Sequence, residues 1–320
     1  ILFLICLLII GAGLATLETA ANPYTTKLGP PETAERRINF AQSFNGLAWV
    51  IGPLIALYIY GNQSHVEGEK MISIILPFAI IGLVVLGIAF IFMRIKLPEI
   101  TEADENAAHG AIVTETSETG IVTGVAEPEY ISPKPLWKNR HFVLGFAAQA
   151  CYVAAQTGVF SYLINFVTDH DMHPRFDVEY APYFLSLGFL LFMIGRFSGS
   201  AMMKYFKPTK MLALYTLVVC ILLPIVSFEF GWVSLIALYG VFFFMSIMFP
   251  TIFALAIKSL GKKTKEASSF LVMAVAGGAV FPPIMGAVAD TYGMATGFLV
   301  PIPLFIFILY YALKGHKVMA

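Results

Sequence analysis

The chain has 320 residues, of which 58% are hydrophobic and 12% are charged. Because soluble domains contain roughly 25% charged residues, this composition excludes an ordinary soluble domain and indicates an integral membrane protein. The formal net charge of zero gives no electrostatic basis for a nucleic-acid partner. Cys6, Cys151 and Cys220 lie in apolar stretches without CxxC spacing. We therefore predict no disulfide framework, no metal site and no cofactor.

Nine stretches are apolar and long enough to cross a bilayer as helices, which takes about 20 residues each. We predict an all-α integral membrane protein with nine visible transmembrane helices, at residues 1–24, 36–60, 71–95, 140–168, 178–203, 209–228, 231–257, 266–289 and 294–313. Several of these stretches contain Pro or Gly, which membrane helices tolerate. The chain begins with Ile inside an apolar stretch, so we expect an N-terminal truncation.

An acidic segment between the third and fourth spans differs from the rest of the chain. Residues 97–130 contain eight acidic residues and no Lys or Arg, which is typical of a solvated, flexible linker. We therefore predict three regions: a partial N-terminal half of three spans at 1–95, an acidic linker at 96–139, and a C-terminal half of six spans at 140–320.

The distribution of basic residues predicts the orientation of the spans. If the linker lies in the cytoplasm and successive spans alternate in direction, the loops on the outer side contain only Lys70 and Arg175. The other loop lysines and arginines then lie on the cytoplasmic side, as the positive-inside rule requires. The linker and the C-terminus are thus predicted to be cytoplasmic.

Glu18 is the only acidic residue that the sequence places deep within a span. It follows seventeen uncharged residues, and apolar or small residues flank it on both sides. An ionised carboxylate is costly away from water, so an acid at membrane depth is neutralised, paired or functional. Removal from water favours its protonated form, which makes Glu18 a candidate proton carrier. The alternative is a hydrogen bond or a static ion pair with another helix.

The second span carries amides that share one helical face. Asn39, Gln42 and Asn45 follow one another at intervals of three residues. Carboxamides both donate and accept hydrogen bonds, which suits ligands rich in hydroxyl groups. The alternative is that these amides hold helices together. For this helix alone, the two interpretations are equally supported.

The fourth span repeats the pattern with Gln149, Tyr152 and Gln156. Because seven residues advance a helix by nearly two turns, Gln149 and Gln156 lie on one stripe. An aromatic ring beside amides is a plausible surface for a sugar. One amide-bearing face in each half favours a central cavity between the halves as the ligand site.

The fifth span ends with Gly195-Arg196-Phe-Ser-Gly199. The glycines permit close approach of a neighbouring helix. We expect Arg196, near the inner end of its helix, to reach a carbonyl group or a lipid phosphate. Gly195, Arg196 and Gly199 are therefore predicted to form a conformational latch or anchor and not a substrate site.

The topology and several sequence strings point to a family. Three spans before a cytoplasmic linker and six after it match two six-helix halves that lack the first three helices, which is the major facilitator architecture. Strings in both halves resemble the fucose permease group of major facilitator sugar:proton symporters: Leu17-Glu18-Thr-Ala-Ala-Asn22-Pro23-Tyr24, Asn39-Phe-Ala-Gln42-Ser-Phe-Asn45, Cys151-Tyr-Val-Ala-Ala-Gln156-Thr, Ile194-Gly-Arg196-Phe-Ser-Gly199, Met245-Ser-Ile-Met-Phe-Pro250-Thr-Ile-Phe and Ser268-Ser-Phe-Leu-Val-Met273. The string around Glu18 is specific, whereas Gly-Arg-x-x-Gly occurs across the superfamily.

The resemblance implies proton-coupled import of a monosaccharide, with L-fucose as the first choice, by alternating access. It implies that Glu18 carries the proton and that Gln42 and Asn45 contact the sugar. Gln149, Tyr152 and Gln156 are assigned to the sugar from their spacing. The implied partners are a monosaccharide, protons and lipid, and the expected state is a monomer in a bacterial inner membrane.

Two alternatives remain open at this stage. One is an uncoupled facilitator or an exporter of the same fold. The other is a membrane sugar sensor that transports nothing and signals through residues 97–130. An enzyme is the least favoured class, because no His, Ser-Lys pair or metal-ligand cluster lies at membrane depth.

Overall fold

The computed structural model describes residues 2–61, 67–95, 134–169 and 176–318. Over these residues the secondary structure is helical, with no strand, which confirms the predicted all-α class. Nine stretches of the described residues are long and apolar enough to cross a membrane, as predicted. Most of the predicted acidic linker, and Arg175 on the outer side, lie outside the described residues.

Three long helices precede the linker: α1 (Leu2–Lys27), α2 (Ala34–Gly61) and α3 (Glu67–Arg94). Nine follow it: α4 (Arg140–Thr168), α5 (Ala181–Met202), α6 (Pro208–Ser227), α7 (Trp232–Met245), α8 (Met248–Ile257), α9 (Thr264–Met273), α10 (Gly277–Tyr292), α11 (Met294–Gly297) and α12 (Ile302–Tyr310). Short 3₁₀ turns occur at Pro31–Thr33, Leu136–Lys138, Val178–Tyr180, Gly261–Lys263 and Ala274–Ala276, and a π-helix at Tyr311–Gly315.

The last three predicted spans are interrupted and not continuous. The span predicted at 231–257 breaks between α7 and α8, at Ser246 and Ile247. Pro250 explains this break, because a proline has no N–H to donate to the carbonyl of the residue four positions earlier, which here is Ser246. The carbonyl of Ser246 is thus free to accept a hydrogen bond from another helix.

The core of the bundle lies among α4 to α12. α4 contacts α8, α10 and α12 extensively. Large side chains without solvent exposure fill this core, among them Phe166, Phe242, Phe298 and Phe305. α3 contacts the rest of the bundle weakly, and its described side chains are mostly exposed and apolar, which is suited to lipid.

One end of the bundle is closed by contacts between α2 and the C-terminal helices. The contact between α2 and α5 is the most extensive between two helices. Ser200 Oγ on α5 donates a hydrogen bond to the carbonyl O of Arg36 at 3.0 Å. Ile38 on α2 belongs to one buried apolar cluster with Phe142 on α4 and Phe253 on α8. This end carries the basic loops around 27–37, 204–210 and 258–265.

The predicted glycine motif packs tightly against the α7–α8 break. A Cβ atom at Gly195 would lie 2.5 Å from the carbonyl O of Phe243, and one at Gly199 would lie 2.3 Å from Cγ2 of Ile247. Real Cβ atoms do not approach other heavy atoms so closely, so only glycine fits at these two positions without a shift of the helices.

Gly195→Ala is expected to lower the free energy of unfolding by about 1–3 kcal/mol, because the added methyl group meets a backbone oxygen that cannot rotate away. Thermal unfolding in detergent measures the effect. Gly87→Ala on α3 is the matched control, because a Cβ atom there meets no atom within 4 Å. Equal melting temperatures for the two variants would contradict this packing.

Candidate functional site

A cavity of about 380 Å³ lies between helices of both halves. This volume is within the range of small-molecule sites, roughly 300–1,000 Å³. Its polar lining residues are Glu18, Gln42, Asn45, Gln156, Thr157, Ser161 and Arg196, and its apolar lining residues are Trp49, Val153, Phe160, Phe189, Phe192, Phe249 and Val275. The structure therefore brings a carboxyl group, a guanidinium group, three amides and several aromatic rings together around one cavity.

Glu18 reaches this cavity from α1. Its side chain is half-buried, and the apolar run before it is exposed on the outside of the bundle. Arg196 lines the same cavity, and its positive charge acts on Glu18. Glu18 can thus interact electrostatically with a ligand in the cavity and with Arg196 on α5.

Arg196 lies in the wall of the cavity, in the last third of α5. α5 continues for six residues beyond it, to Met202, which places Arg196 about 9 Å inside the helix end. Its side chain is 5% exposed, and its guanidinium carbon lies 4.6 Å from the centroid of the Phe192 ring. The guanidinium of Arg196 therefore lies inside the bundle.

The guanidinium of Arg196 joins two helices that belong to different halves. Its Nε donates to the carbonyl O of Ser246 at 2.9 Å, and its Nη1 donates to the carbonyl O of Gln42 at 2.7 Å. The first acceptor is the carbonyl that Pro250 leaves without an intrahelical donor. Arg196 thus reaches carbonyl groups, as the sequence analysis allowed, but between α2 and the α7–α8 break.

The amides of α2 divide into two groups with different surroundings. Asn39 is fully buried, and its Nδ2 donates to Thr251 Oγ1 on α8 at 3.0 Å. Gln42 faces the cavity, where its Nε2 donates to Asn22 Oδ1 at 2.8 Å. Asn45 is exposed within the same lining. Asn39 therefore joins α2 to α8, and Gln42 joins α2 to α1 through Asn22. Gln42 and Asn45 also line the cavity, where Gln42 Oε1 accepts from Asn45 Nδ2 and from Arg196 Nη1, each at 3.4 Å.

The three side chains predicted to share one face of α4 also have different surroundings. Gln156 lines the cavity. Gln149 and Tyr152 have no solvent exposure and are not among the lining residues. The hydroxyl of Tyr152 donates to the carbonyl O of Met245, at the end of α7, at 3.0 Å. In this conformation, one of the three side chains thus lies in the cavity. That any of them binds sugar stays a prediction.

Aromatic rings form most of the apolar part of the lining, and the sequence analysis did not single them out. Trp49 on α2 packs edge-to-face on Phe160 of α4, with ring centroids 5.7 Å apart, and on Phe189 of α5 at 5.1 Å. Trp49 follows Gln42 by seven residues and Asn45 by four, so the helical period that links the amides could have found it. A flat ring beside amides suits a ligand with both apolar and hydroxyl faces.

Among the described residues, no group of three or more His, Cys, Asp or Glu side chains could hold an ion together. The cavity chemistry consists of hydrogen bonding, one carboxylate and one guanidinium.

Comparison with known proteins agrees with this geometry. The model of the Major Facilitator Superfamily matches residues 1–281. The L-fucose-proton symporter of Escherichia coli (strain K12) is 37% identical over 319 residues, which cover 94% of this chain and 68% of that protein. The glucose/galactose transporter of Brucella abortus (strain 2308) is 34% identical over 318 residues, which cover 99% of this chain and 72% of that protein.

Solved structures give the same result for the fold. The chain is similar to the crystal structure of a Major Facilitator Superfamily transporter, FucP, in the outward conformation, with a TM-score of 0.79 and 35% sequence identity. The match covers 99% of this chain and 77% of that chain. The fold class predicted from the topology is thereby confirmed.

Arg196→Lys is expected to lower the free energy of unfolding by about 1–3 kcal/mol, because one ammonium group cannot serve both carbonyls in the directions that the guanidinium reaches. Thermal unfolding in detergent measures the change. Arg140→Lys is the matched control, because Arg140 is exposed and donates to the hydroxyl of Tyr310 at the surface. A control that loses as much stability as Arg196→Lys would refute the bridging role.

Proposed function

The chain belongs to the Major Facilitator Superfamily, and on that premise we propose that it imports a monosaccharide together with a proton by alternating access. The observation that carries this proposal is the shared cavity: Glu18 lines the same space as Gln42, Asn45 and Gln156. A proton carrier and a set of hydroxyl-binding groups in one cavity allow the two ligands to influence each other directly.

The lining suits a monosaccharide better than an apolar drug. Gln42, Asn45 and Gln156 can both donate to and accept from sugar hydroxyls. The ring of Trp49 offers an apolar surface to the face of a pyranose. L-Fucose is our first choice of substrate, because a relative at 37% identity is an L-fucose-proton symporter. Glucose and galactose are the next candidates, because the Brucella relatives are glucose/galactose transporters.

Glu18 is the proposed proton carrier. A bare carboxylate in a closed cavity is expensive, so closure over the sugar is favoured when Glu18 is protonated. The positive charge of Arg196 acts on Glu18 and compensates the carboxylate in its ionised state. Loss of the proton on the opposite side of the membrane would then complete the cycle.

The observed conformation fits the outward-facing state of this cycle. The closed end of the bundle carries the basic loops, which the positive-inside rule places in the cytoplasm. Similarity to a transporter in the outward conformation supports the same assignment. We therefore propose that Arg196 and Asn39 form a latch on the cytoplasmic side, and that their bonds to opposite halves break when the cavity opens inward. Gly195 and Gly199 let this latch close.

We also propose a multi-pass location in a bacterial inner membrane, with the acidic linker and the C-terminus in the cytoplasm and the protein acting as a monomer.

Transport measurements decide between symport and its alternatives. Proteoliposomes loaded with the intact protein are expected to accumulate labelled L-fucose only when the outside is more acidic than the inside. Equal uptake with and without the gradient would indicate an uncoupled facilitator, and sugar binding without flux would indicate a sensor.

Glu18→Gln is expected to abolish uphill accumulation and to retain sugar exchange, because the amide mimics the protonated acid and cannot release a proton. Counterflow and gradient-driven uptake are measured on the same proteoliposomes. Glu266→Gln is the control, because Glu266 is exposed on α9, outside the cavity. Uphill uptake at the wild-type level by Glu18→Gln would rule out the proton-carrier assignment.

Gln156→Leu is expected to raise the KM for external sugar about 3- to 10-fold, which is the range for loss of one or two neutral hydrogen bonds. Initial rates of uptake at graded sugar concentrations measure this shift. Asn165→Leu is the matched control, because Asn165 lies on the same helix but is exposed outside the cavity. An unchanged KM for Gln156→Leu would remove Gln156 from the sugar site.

A further inference from the structure

Asn22 lies one turn after Glu18 on α1 and is buried beside the cavity. Residues four apart on a helix are neighbours on one face, with Cβ atoms about 5–6 Å apart. Asn22 is 4% exposed and does not line the cavity, whereas Glu18 and Gln42 do. The amide of Asn22 therefore acts on the side chains next to it and not on a ligand in the cavity.

This amide uses one of its two polar atoms and leaves the other without a partner. Its Oδ1 accepts a hydrogen bond from Gln42 Nε2 at 2.8 Å. Its Nδ2 is buried and has no hydrogen-bond partner among the described residues. A buried donor without an acceptor is destabilising, and a leucine would fill the same branched shape without this cost. Asn22 is thus suited to a state in which its Nδ2 has an acceptor.

The ionised carboxylate of Glu18 is the acceptor that this donor fits. It belongs to the same helical face, and a hydrogen bond from an amide to a carboxylate is roughly twice as strong as a neutral one. Arg196 acts on Glu18 through its charge. Its Nε and Nη1, however, donate to the carbonyl groups of Ser246 and Gln42. Asn22 can therefore donate to ionised Glu18 without a break in the bridge that Arg196 makes.

The charged groups around α1 leave Arg196 as the charge that acts on Glu18. α1 packs on α2 and α9. Glu18 lies nine residues before Lys27, the last residue of α1, and thus about 13 Å from that end of the helix. The charged side chains of α2 and α9 lie in the first turns of these helices, at the end with the basic loops: Glu35, Arg36, Arg37, Lys265 and Glu266.

We propose that Asn22 is a positioning residue that passes the protonation state of Glu18 to the amide of Gln42. The proposal rests on the proposed sugar:proton symport and adds the route by which the proton raises the affinity for sugar. In the ionised state, Asn22 donates to Glu18 and accepts from Gln42, in the orientation seen here. Gln42 is then held with its Nε2 away from the ligand.

Protonation of Glu18 reverses the direction of these hydrogen bonds. A protonated carboxyl group donates through its O–H, and Oδ1 of Asn22 is the acceptor next to it. A half-turn of the Asn22 amide brings Oδ1 to Glu18 and Nδ2 to Gln42. The amide of Gln42 then turns in the same way to present Oε1 to this donor. Its Nε2 takes the place that Oε1 occupied on the cavity side.

The turned amide of Gln42 creates a need for an acceptor in the cavity. In the orientation seen here, Gln42 Oε1 accepts from Asn45 Nδ2 and from Arg196 Nη1, each at 3.4 Å. With Nε2 in its place, the donors of all three side chains face the same part of the cavity. The oxygen of a sugar hydroxyl accepts hydrogen bonds from such donors. A proton on Glu18 therefore increases the affinity for sugar.

The test measures the dissociation constant (Kd) of labelled L-fucose for the purified intact protein in detergent, by equilibrium dialysis in acidic and in alkaline buffer. D-Galactose and D-glucose are measured in parallel. The wild-type Kd is expected to be about 3- to 10-fold lower in acidic buffer, which corresponds to one or two neutral hydrogen bonds. In Asn22→Leu, the Kd in alkaline buffer is expected to fall to within about twofold of the acidic wild-type value, because Gln42 is no longer held.

Two further variants calibrate this result. Glu18→Gln carries an amide that donates to Asn22 as the protonated acid does, so the acidic wild-type Kd is expected in both buffers. Thr16→Val is the matched control, because Thr16 is exposed on the same helix and donates to the carbonyl O of Ala12. It is expected to keep the wild-type dependence on pH. Asn22→Ala removes the same polar atoms with less bulk and provides the same test if Asn22→Leu does not fold.

The opposite results overturn the proposal. If Asn22→Leu and Asn22→Ala keep the wild-type dependence on pH, Asn22 does not pass on the protonation state. If they weaken binding by the same factor in both buffers, Asn22 only supports the shape of the site. A wild-type Kd that is equal in both buffers also overturns the proposal and leaves proton-driven transport standing. Failure of the wild type to bind any of the three sugars refutes the proposed function itself.

Discussion

The bridge made by Arg196 is the interaction on which this conformation depends. Pro250 interrupts the predicted seventh span and leaves the carbonyl of Ser246 without an intrahelical donor. Arg196 supplies that donor and also reaches the carbonyl of Gln42 on α2. Because Gly195 brings α5 against the same break, the glycine, the proline and the arginine form one unit. This unit joins the two halves, and Arg196 contributes to the wall of the cavity.

The same unit connects the latch to the proposed proton site. Arg196 is held by neutral carbonyls and carries a positive charge beside Glu18. Its hydrogen bonds to carbonyls persist whatever the charge on Glu18, but its electrostatic attraction to the carboxylate exists only when Glu18 is ionised. Protonation of Glu18 therefore removes the electrostatic attraction between α1 and α5. A proton on Glu18 can thus weaken the association of the two halves, although it does not contact the latch.

Helical periodicity and the length of the apolar stretches predicted the helical spans and several residues of the cavity. They predicted the nine spans, and the helical period placed Gln42, Asn45 and Gln156 on faces that the structure brings to one cavity with Glu18. They could not distinguish Asn39 from Gln42, because residues three apart differ by 60° in direction, which is enough to give one a buried partner and the other an open cavity. The partners of Arg196 could not be predicted, because they depend on the break at Ser246 and on the approach of α2. Trp49 was missed because aromatic filler has the same spacing.

The heptad spacing on α4 relates the cavity to the closed end of the bundle. Phe142, Gln149 and Gln156 share one stripe, but only the last faces the cavity in this conformation. In alternating access, the two halves rock around one fixed site near the middle of the membrane. Gln156 lines the cavity, and Phe142 lies at the closed end, where it belongs to one buried cluster with Ile38 of α2. One helical face of α4 therefore lines the cavity at one level and, two heptads away, belongs to the contact that closes the bundle.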